Sequence, residues 1–180
     1  MSRTQDGFNI QHCCIPKIAM NEPYYIACSN SKMDADITMI RLRRVGIGTE
    51  KISVLFPRHQ MPNAVVSWMS LPEDLGLCIG QDPLMAAGRL RDSLASAPSG
   101  GSLTQLLEGA GFPFDLARDI EMSLEFGRIL IFVHDLTDRE LALAWHVFTE
   151  FSVDVLAMGS ESRRRVAEAL RVELQLVGTA

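Results

Sequence analysis

The sequence predicts a domain of the α+β class, and three features of the chain lead to that prediction. A strand, a helix and a second strand are indicated over 24–56, and the same order is indicated again over 128–158. About 70 residues, 57–126, separate the two units, and a connection of that length must carry structure of its own. Two such units in one chain predict a ferredoxin-like βαββαβ sandwich, in which two helices cover one face of a four-stranded antiparallel sheet.

The second unit begins at 128–134, which holds a continuous apolar run rich in β-branched residues and too short for a buried helix. Thr137 and Glu140 then have the spacing of a capping box, so a helix is predicted to begin there. A returning strand is predicted over Val153–Met158, as in a right-handed crossover. The residues predicted for the buried stripe of the helix and its margin are Leu141, Ala144, Trp145, Phe148 and Phe151.

The first unit begins with a short aromatic and aliphatic run, Tyr24–Cys28, that predicts a strand. Ser31, with Asp34 three residues later, predicts the start of a helix, and Gly46 predicts its end. The run Lys51–Phe56 alternates and then becomes wholly apolar, which predicts the second strand. The apolar stripe predicted for this first helix consists of Met33, Ile37 and Ile40.

The insertion, 57–126, is predicted to be helical. Short helices are expected at about Leu84–Leu94 and Leu103–Glu108, with a flexible joint over Ser93–Gly101. Pro113 has the position of a first-turn proline, so a third helix is predicted from there to the end of the insertion. The side chains that this helix is predicted to bury are Leu116, Ile120 and Leu124.

A single domain over 22–158 is expected, preceded by an arm over 1–21 and followed by a C-terminal helix over 159–180. In the C-terminal helix, apolar residues recur at every fourth position. Such a stripe must pack against something, so it is predicted to lie on the open face of the sheet or on another subunit. Its residues are Val166, Leu170 and Leu174.

Composition and charge limit the classes of partner. With 47% hydrophobic and 22% charged residues, the chain has the composition of a folded globular protein. Its net charge of −5 provides no overall attraction to nucleic-acid phosphates. The basic clusters at 41–44 and 163–165 lack interleaved aromatic residues, so they are interpreted as solvated helix surfaces. Nucleic acid is therefore not an expected partner.

The sequence also limits the expected location, metals and cofactors. The first residues lack a basic stretch followed by an apolar core, and no apolar run nears the roughly 20 residues that span a bilayer. A cytoplasmic protein without a membrane span is therefore expected. The four cysteines lack metal-ligand spacing, which predicts free thiols, no metal and no cofactor. They are Cys13, Cys14, Cys28 and Cys78, and the sequence assigns no role to the adjacent first pair.

A pattern of glycines, prolines and small residues runs through the insertion into the third predicted strand. It comprises Gly80–Leu90 (Gly-Gln-Asp-Pro-Leu-Met-Ala-Ala-Gly-Arg-Leu), Leu106-Leu107, Gly111-Phe-Pro113 with Ala117, and Phe126-Gly127 before Ile129–His134. With the preceding Gly48–Leu55, it resembles the bacterial general stress protein 17M-like, or heat-induced stress protein, domain over roughly residues 24–158. The resemblance implies an α+β domain with a stress-associated function, and the matching residues include no catalytic groups.

One stretch departs from that family. Its members carry a glycine- and alanine-rich hydrophobic hairpin after the second strand. Here Met61–Leu77 holds two prolines and two acidic residues instead, so insertion into a bilayer is not expected. The short apolar run inside it is a candidate interface, formed by Val66, Trp68 and Met69.

Few residues are arranged for chemistry. His134 followed by Asp135 is the best acid–base candidate, because a carboxylate can raise the pKa of an adjacent imidazole, although such a pair at a strand end also fits a turn. Cys28 is a candidate thiol, but it lacks a helix-start or glycine-elbow context that would lower its pKa, which favours a small core residue. These three are candidate ligand-binding residues, and no catalytic residue is assigned. Gly80–Gly88 lacks the Gly-Lys-Ser/Thr ending of a phosphate loop.

Three functions remain open from the sequence. The favoured one is a non-enzymatic, stress-associated module that acts by association, as a homo-oligomer or as an accessory subunit, because no polar groups converge while apolar surface is spare. A small-ligand sensor of ferredoxin-like shape is the alternative, by analogy of fold. An enzyme centred on His134 is the third.

Overall fold

A computed structural model describes residues 24–57, 76–79, 82–95, 101–151, 153–159 and 163–164. Within these ranges six strands form one sheet. The strands are β1 (Tyr25–Ser29), β2 (Ile52–Pro57), β3 (Gly76–Ile79), β4 (Asp82–Ala87), β5 (Ile129–Val133) and β6 (Asp154–Met158). The helices are α1 (Lys32–Arg44), α2 (Arg89–Ala95), α3 (Leu103–Gly109), α4 (Phe114–Glu125) and α5 (Asp138–Glu150), with a short 3₁₀ turn at Thr49–Lys51.

The sheet has the strand order β3-β4-β2-β5-β1-β6, and every neighbouring pair is antiparallel. The strands joined by α1, β1 and β2, are therefore parallel to each other with β5 between them. Likewise β5 and β6, which α5 joins, are parallel with β1 between them. The predicted α+β class is confirmed, and β3 and β4 widen the sheet beyond the four strands that the sequence predicts.

Helices cover both faces of the sheet. Side chains alternate along a strand, so Ile129, Ile131 and Val133 of β5 join one core while Leu130 and Phe132 join the other. We call the side covered by α1 and α5 the first face, and the side covered by α2, α3 and α4 the second face. Because β5 is buried on both sides, it has no polar side, which explains its continuous apolar sequence.

The capping box predicted at the start of α5 is confirmed. The N–H of Glu140 donates to Oγ1 of Thr137 at 3.4 Å, and the N–H of Thr137 donates to Oε2 of Glu140 at 2.8 Å. The helix continues to Glu150, with Phe151 as its C-cap. Its buried side chains are Leu141, Ala144, Val147 and Phe148, and Trp145 is partly buried against them.

Helix α1 lies where the sequence predicts it, but its predicted stripe faces away from the core. Ser31 caps the helix by accepting the N–H of Asp34 at 3.2 Å. Met33 is 67% exposed and Ile40 is 47% exposed, while Ile37 is partly buried. Both sides of this helix carry apolar residues at helical spacing, so periodicity alone does not select the side that meets the sheet. The residues that do so are Ala35, Thr38, Met39 and Leu42.

The prediction of one helix over Leu84–Leu94 is wrong. Residues Asp82–Ala87 form β4, which pairs with β2, and α2 begins only at Arg89. Alanine favours a helix in isolation, but the open edge of β2 provides backbone hydrogen bonds and burial that outweigh this preference. Gly88, with a φ of 76°, turns the chain from strand to helix. The insertion therefore contributes the hairpin β3–β4 as well as helices.

The other two helices of the insertion lie where the sequence predicts them. Ser102 and Gln105 form a capping box at the start of α3. Pro113, with a φ of −60°, precedes α4, and Gly127, with a φ of 75°, follows its last turn. The buried residues of α4 are Ala117, Ile120, Ser123 and Leu124, whereas the predicted Leu116 is only partly buried.

Candidate functional site

A chain of hydrogen bonds lies on the second face of the sheet, at the end of β5. His134, the residue after β5, is 3% exposed. Its Nε2 lies 3.3 Å from Oγ of Ser53 in β2, and its Nδ1 lies 3.4 Å from Oδ2 of Asp135. Oγ of Ser53 also accepts the backbone N–H of Leu90 in α2 at 3.2 Å. The predicted pair of His134 and Asp135 is thus joined to a serine outside the predicted set.

Strand pairing places these side chains together. The N–H of His134 donates to the carbonyl oxygen of Lys51 at 3.0 Å, which continues the β2–β5 ladder by one step. Ile52 and Val54 belong to the core of the first face, so alternation along β2 turns Ser53 to the second face. Ser53 therefore faces the layer in which α2 begins.

Asp135 connects the same group to α2 through an ion pair. Its φ of 55° is in the left-handed region, which Asp adopts more readily than most residues. Its Oδ2 binds a guanidinium nitrogen of Arg89, the first residue of α2. Ser53 accepts the N–H of the next residue, Leu90. This hydrogen bond and the ion pair together hold the start of α2 on the sheet. We call this group the polar clasp, and its members are Ser53, Arg89, Leu90, His134 and Asp135.

The imidazole of the polar clasp is neutral at ordinary pH. Burial lowers the pKa of His134 to about 4; the positive charges of Arg89 and Lys51 act in the same direction, and Glu50 opposes them. One proton arrangement then satisfies the buried groups: the Ser53 hydroxyl donates to Nε2, and Nδ1–H donates to Asp135. A second proton on Nε2 would deprive the serine hydroxyl of its acceptor.

In the polar clasp a serine, a histidine and an aspartate are hydrogen-bonded in the same order as in the triad of a serine hydrolase, but the chain covers the serine hydroxyl. Ser53 is fully buried, and a Cβ built on Gly88 would lie 2.7 Å from its Oγ. The same Cβ would lie 2.4 Å from the carbonyl oxygen of Ile52, so the backbone at Gly88 passes directly over the serine. A nucleophile must be able to reach its substrate, and the chain itself covers this hydroxyl. The arrangement is suited to holding α2 on the sheet.

A second polar contact ties the 3₁₀ turn to α5. Nζ of Lys51 lies 2.7 Å and 2.8 Å from the two carboxylate oxygens of Glu140. Oε2 of Glu140 also accepts the hydroxyl of Thr137 at 2.8 Å. The hydrogen bond from Lys51, followed by that from the Thr137 backbone, lowers the pKa of Glu140 to about 2. One carboxylate thus serves both a helix cap and an ion pair between the first unit and the second.

Cys28 lies at the other end of β5 from the polar clasp. In the antiparallel β1–β5 pair, Cys28 is opposite Leu130, four residues before His134, which corresponds to roughly 13 Å along the strand. The thiol is buried, and this burial raises its pKa, while the guanidinium of Arg128, 3.9 Å from Sγ, acts in the opposite sense. The three candidate ligand-binding residues therefore do not form one site.

Two helices, one of them together with its C-cap residue, carry all five large apolar side chains that are exposed in the described part of the chain. Single exposed apolar residues are common on protein surfaces, but here they lie together on the outer side of each helix, away from the residues that meet the sheet. On α4 and its C-cap, Phe114 is 55%, Met122 43% and Phe126 76% exposed. We call the two sets the α1 stripe and the α4 stripe. The α1 stripe is Met33, Ile37 and Ile40, and the α4 stripe is Phe114, Met122 and Phe126.

The described part of the chain lacks the features of a metal site and of a membrane-spanning helix. Among the described residues, no group of three or more His, Cys, Asp or Glu side chains is placed to hold a metal ion. None of the helices in these ranges has the length and apolar character needed to cross a bilayer. Of the acidic residues of α4, Asp115, Asp119 and Glu125 are exposed, whereas Glu121 is partly buried and accepts the N–H of Leu103 at 3.2 Å and the hydroxyl of Thr104.

Several predicted features lie outside the described residues. They include the arm over 1–21, most of the predicted C-terminal helix, and the cysteines Cys13 and Cys14. Cys78 is described only as a backbone position of β3. The predicted interface residues that also lie outside the described ranges are Val66, Trp68, Met69, Val166, Leu170 and Leu174.

Comparison with known proteins gives no relative: no protein-family model, curated protein or solved structure matches the chain.

Proposed function

We propose that this chain is a non-enzymatic association module that acts through its α1 stripe and α4 stripe, as a homo-oligomer or as an accessory subunit. One observation carries the proposal: the five large apolar side chains exposed among the described residues all lie on the outer sides of two helices, α1 and α4 with its C-cap. Aliphatic and aromatic side chains aligned along a helix are the anchors that protein interfaces use, because their burial provides most of the binding free energy.

The state of the polar groups supports a role without catalysis. Ser53 and His134 are buried, and each is already hydrogen-bonded within the polar clasp. A catalytic acid–base group works best with a pKa near the working pH, whereas the pKa of His134 is lowered to about 4. These side chains stabilise the fold that presents the two stripes.

The ferredoxin-like arrangement is part of the proposal. Its support is the sheet segment β6-β1-β5-β2, in which the two strand-helix-strand units interleave and their helices lie on the first face. The hairpin β3–β4 and helices α2 to α4 are then additions from the insertion. A stress-associated role is also proposed, and it rests only on the resemblance of the glycine and proline pattern to the heat-induced stress protein family.

Light scattering coupled to size-exclusion chromatography tests the association. The wild-type chain is expected to exceed the monomer mass as its concentration rises from about 1 µM to about 100 µM, the range of moderate affinities. Ile40→Asp should lower that mass, because it places a charge on the α1 stripe. Ala142→Asp, at an exposed position of α5 outside both stripes, is the matched control and should behave like the wild type.

The accessory-subunit form is tested by affinity capture with the same three proteins. A partner that uses the α1 stripe is retained by the wild type and by Ala142→Asp, and is lost with Ile40→Asp. The proposal is wrong if the wild type stays a monomer throughout the range and all three proteins retain the same set of partners.

A further inference from the structure

The two stripes lie on opposite sides of the molecule. Helix α1 packs on the first face of the sheet through Met39 and Leu42, and α4 packs on the second face through Ile120 and Leu124. In each helix the stripe is on the outer side, away from the residues that meet the sheet. One copy of the chain therefore cannot bring its own α1 stripe against its own α4 stripe.

The surroundings of the two stripes carry opposite charge. Helix α1 has four basic residues and two acidic ones, and Arg41, Arg43 and Arg44 are exposed next to Ile40 in its last turn. Helix α4 has four acidic residues and one basic one. Its Asp115, Asp119 and Glu125 are exposed around the α4 stripe, and one exposed base, Arg118, lies between Phe114 and Met122. The chain thus presents one apolar and basic helix and one apolar and acidic helix.

We infer that copies of this chain associate head to tail, with the α1 stripe of one copy against the α4 stripe of the next. This inference rests on the proposed function, and it adds the partner and the contact. A head-to-tail contact buries both stripes and places arginines next to carboxylates, which favours encounter and orientation. Such an interface is heterologous, because it joins two different surfaces. An open assembly has a free α1 stripe at one end and a free α4 stripe at the other, so it either adds further copies or closes into a ring.

A two-fold symmetric contact fits these surfaces less well. Pairing α1 with α1 brings two helices of net positive charge together, and pairing α4 with α4 brings together two of net negative charge. Like charges across an interface are unfavourable. Either symmetric contact also leaves the other stripe exposed, whereas the head-to-tail contact covers both kinds.

Two variants of the full chain separate these contacts. Met33→Asp with Ile40→Asp blocks the α1 stripe and leaves the α4 stripe intact. Phe114→Asp with Phe126→Asp blocks the α4 stripe and leaves the α1 stripe intact. All four positions are exposed, and circular dichroism and thermal unfolding check that both variants are folded. A two-substitution control, Ala142→Asp with Thr149→Asp, places the same charges on exposed positions of α5.

Light scattering on the separate variants and on their mixture gives the result. Each variant alone is expected to be a monomer, with self-association weakened by about 100-fold or more, as for the loss of interface anchors. An equimolar mixture is expected to form a 1:1 dimer and nothing larger, because each variant supplies the stripe that the other lacks. The α5 control should assemble like the wild type.

Other outcomes overturn the head-to-tail contact while leaving association in place. If only one of the variants loses self-association, the contact is symmetric through that stripe. A mixture that stays monomeric shows that the two stripes do not bind each other. If the wild type is itself a monomer at every concentration, the inference is also overturned, and affinity capture then decides whether the proposed function survives through a different partner.

Discussion

Ser53 and His134 are 81 residues apart in the chain, and the serine hydroxyl lies 3.3 Å from the imidazole in the buried layer where α2 begins. The contact joins β2 of the first unit to the end of β5 in the second. Because the same hydroxyl accepts the N–H of Leu90, it also fixes the first helix after the hairpin β3–β4. The Ser53 side chain thus links the insertion to both strand-helix-strand units. Removing its hydroxyl should weaken the packing of the insertion and of both units.

Ser53→Ala is expected to lower the free energy of unfolding by about 1–3 kcal/mol, because it leaves Nε2 of His134 and the N–H of Leu90 without their partner. Urea titration followed by circular dichroism measures this. Thr149→Ala removes a hydroxyl that bonds only to backbone carbonyls of its own exposed helix turn, so it should change stability by less than about 0.5 kcal/mol. Equal effects of the two substitutions would show that the polar clasp contributes nothing.

The buried imidazole predicts loss of stability in mild acid. The pKa of His134 is lowered from 6.5 to about 4, so between these values the unfolded chain binds a proton that the folded chain does not. The stabilisation contributed by the neutral imidazole is therefore fully present above pH 6.5, and it is lost progressively as pH is lowered toward 4. The loss is expected to be on the order of 3 kcal/mol by urea titration. His134→Gln should be less stable at pH 7 and should lose most of this slope; an unchanged slope would assign it to other groups.

The contact between Lys51 and Glu140 is expected to show coupling. The pKa of Glu140 is lowered from 4.5 to about 2, so its contribution is present above pH 4.5 and is lost as pH falls through 2. At pH 7, Lys51→Met and Glu140→Gln should each destabilise the fold by about 1 kcal/mol. The double variant should cost less than the sum, with a coupling energy of about 0.5–2 kcal/mol. Strict additivity of the two effects would mean that the observed 2.7 Å contact adds no stability.

Local signals made several elements predictable. The capping box of Thr137 and Glu140 lies within four residues, and the apolar run of β5 reports burial on both faces. Structure that depends on partners distant in the sequence was not predictable in this way. Asp82–Ala87 is a strand because β2 offers it an edge. In α1, periodicity does not select the buried side, because both sides of the helix carry apolar residues at helical spacing.

The polar clasp shows the same division between local and distant information. His134 and Asp135 are adjacent, so the sequence indicated the pair. Ser53 was missed because its partners, His134 and Leu90, are 81 and 37 residues away. The one signal in the sequence was a single hydroxyl inside an otherwise apolar strand, since a buried polar group needs a hydrogen-bond partner. That signal identifies the residue and gives no information on what it binds.

Gly88 is a position at which the backbone leaves no room for a side chain. An added Cβ would lie 2.4 Å from the Ile52 carbonyl oxygen and 2.9 Å from Cα of Ser53, and the φ of 76° disfavours any other residue. Gly88→Ala is expected to cost more than about 2 kcal/mol in urea titrations, because both clashes are with backbone. Gly46→Ala has a φ of 96° but free space around it, so it should show only the smaller conformational cost of about 1 kcal/mol. Gly109→Ala, at an open position without a positive φ, should be neutral or stabilising. If Gly88→Ala costs no more than Gly46→Ala, the backbone does not pass over Ser53 as closely as described, and the shielding of that hydroxyl loses its basis.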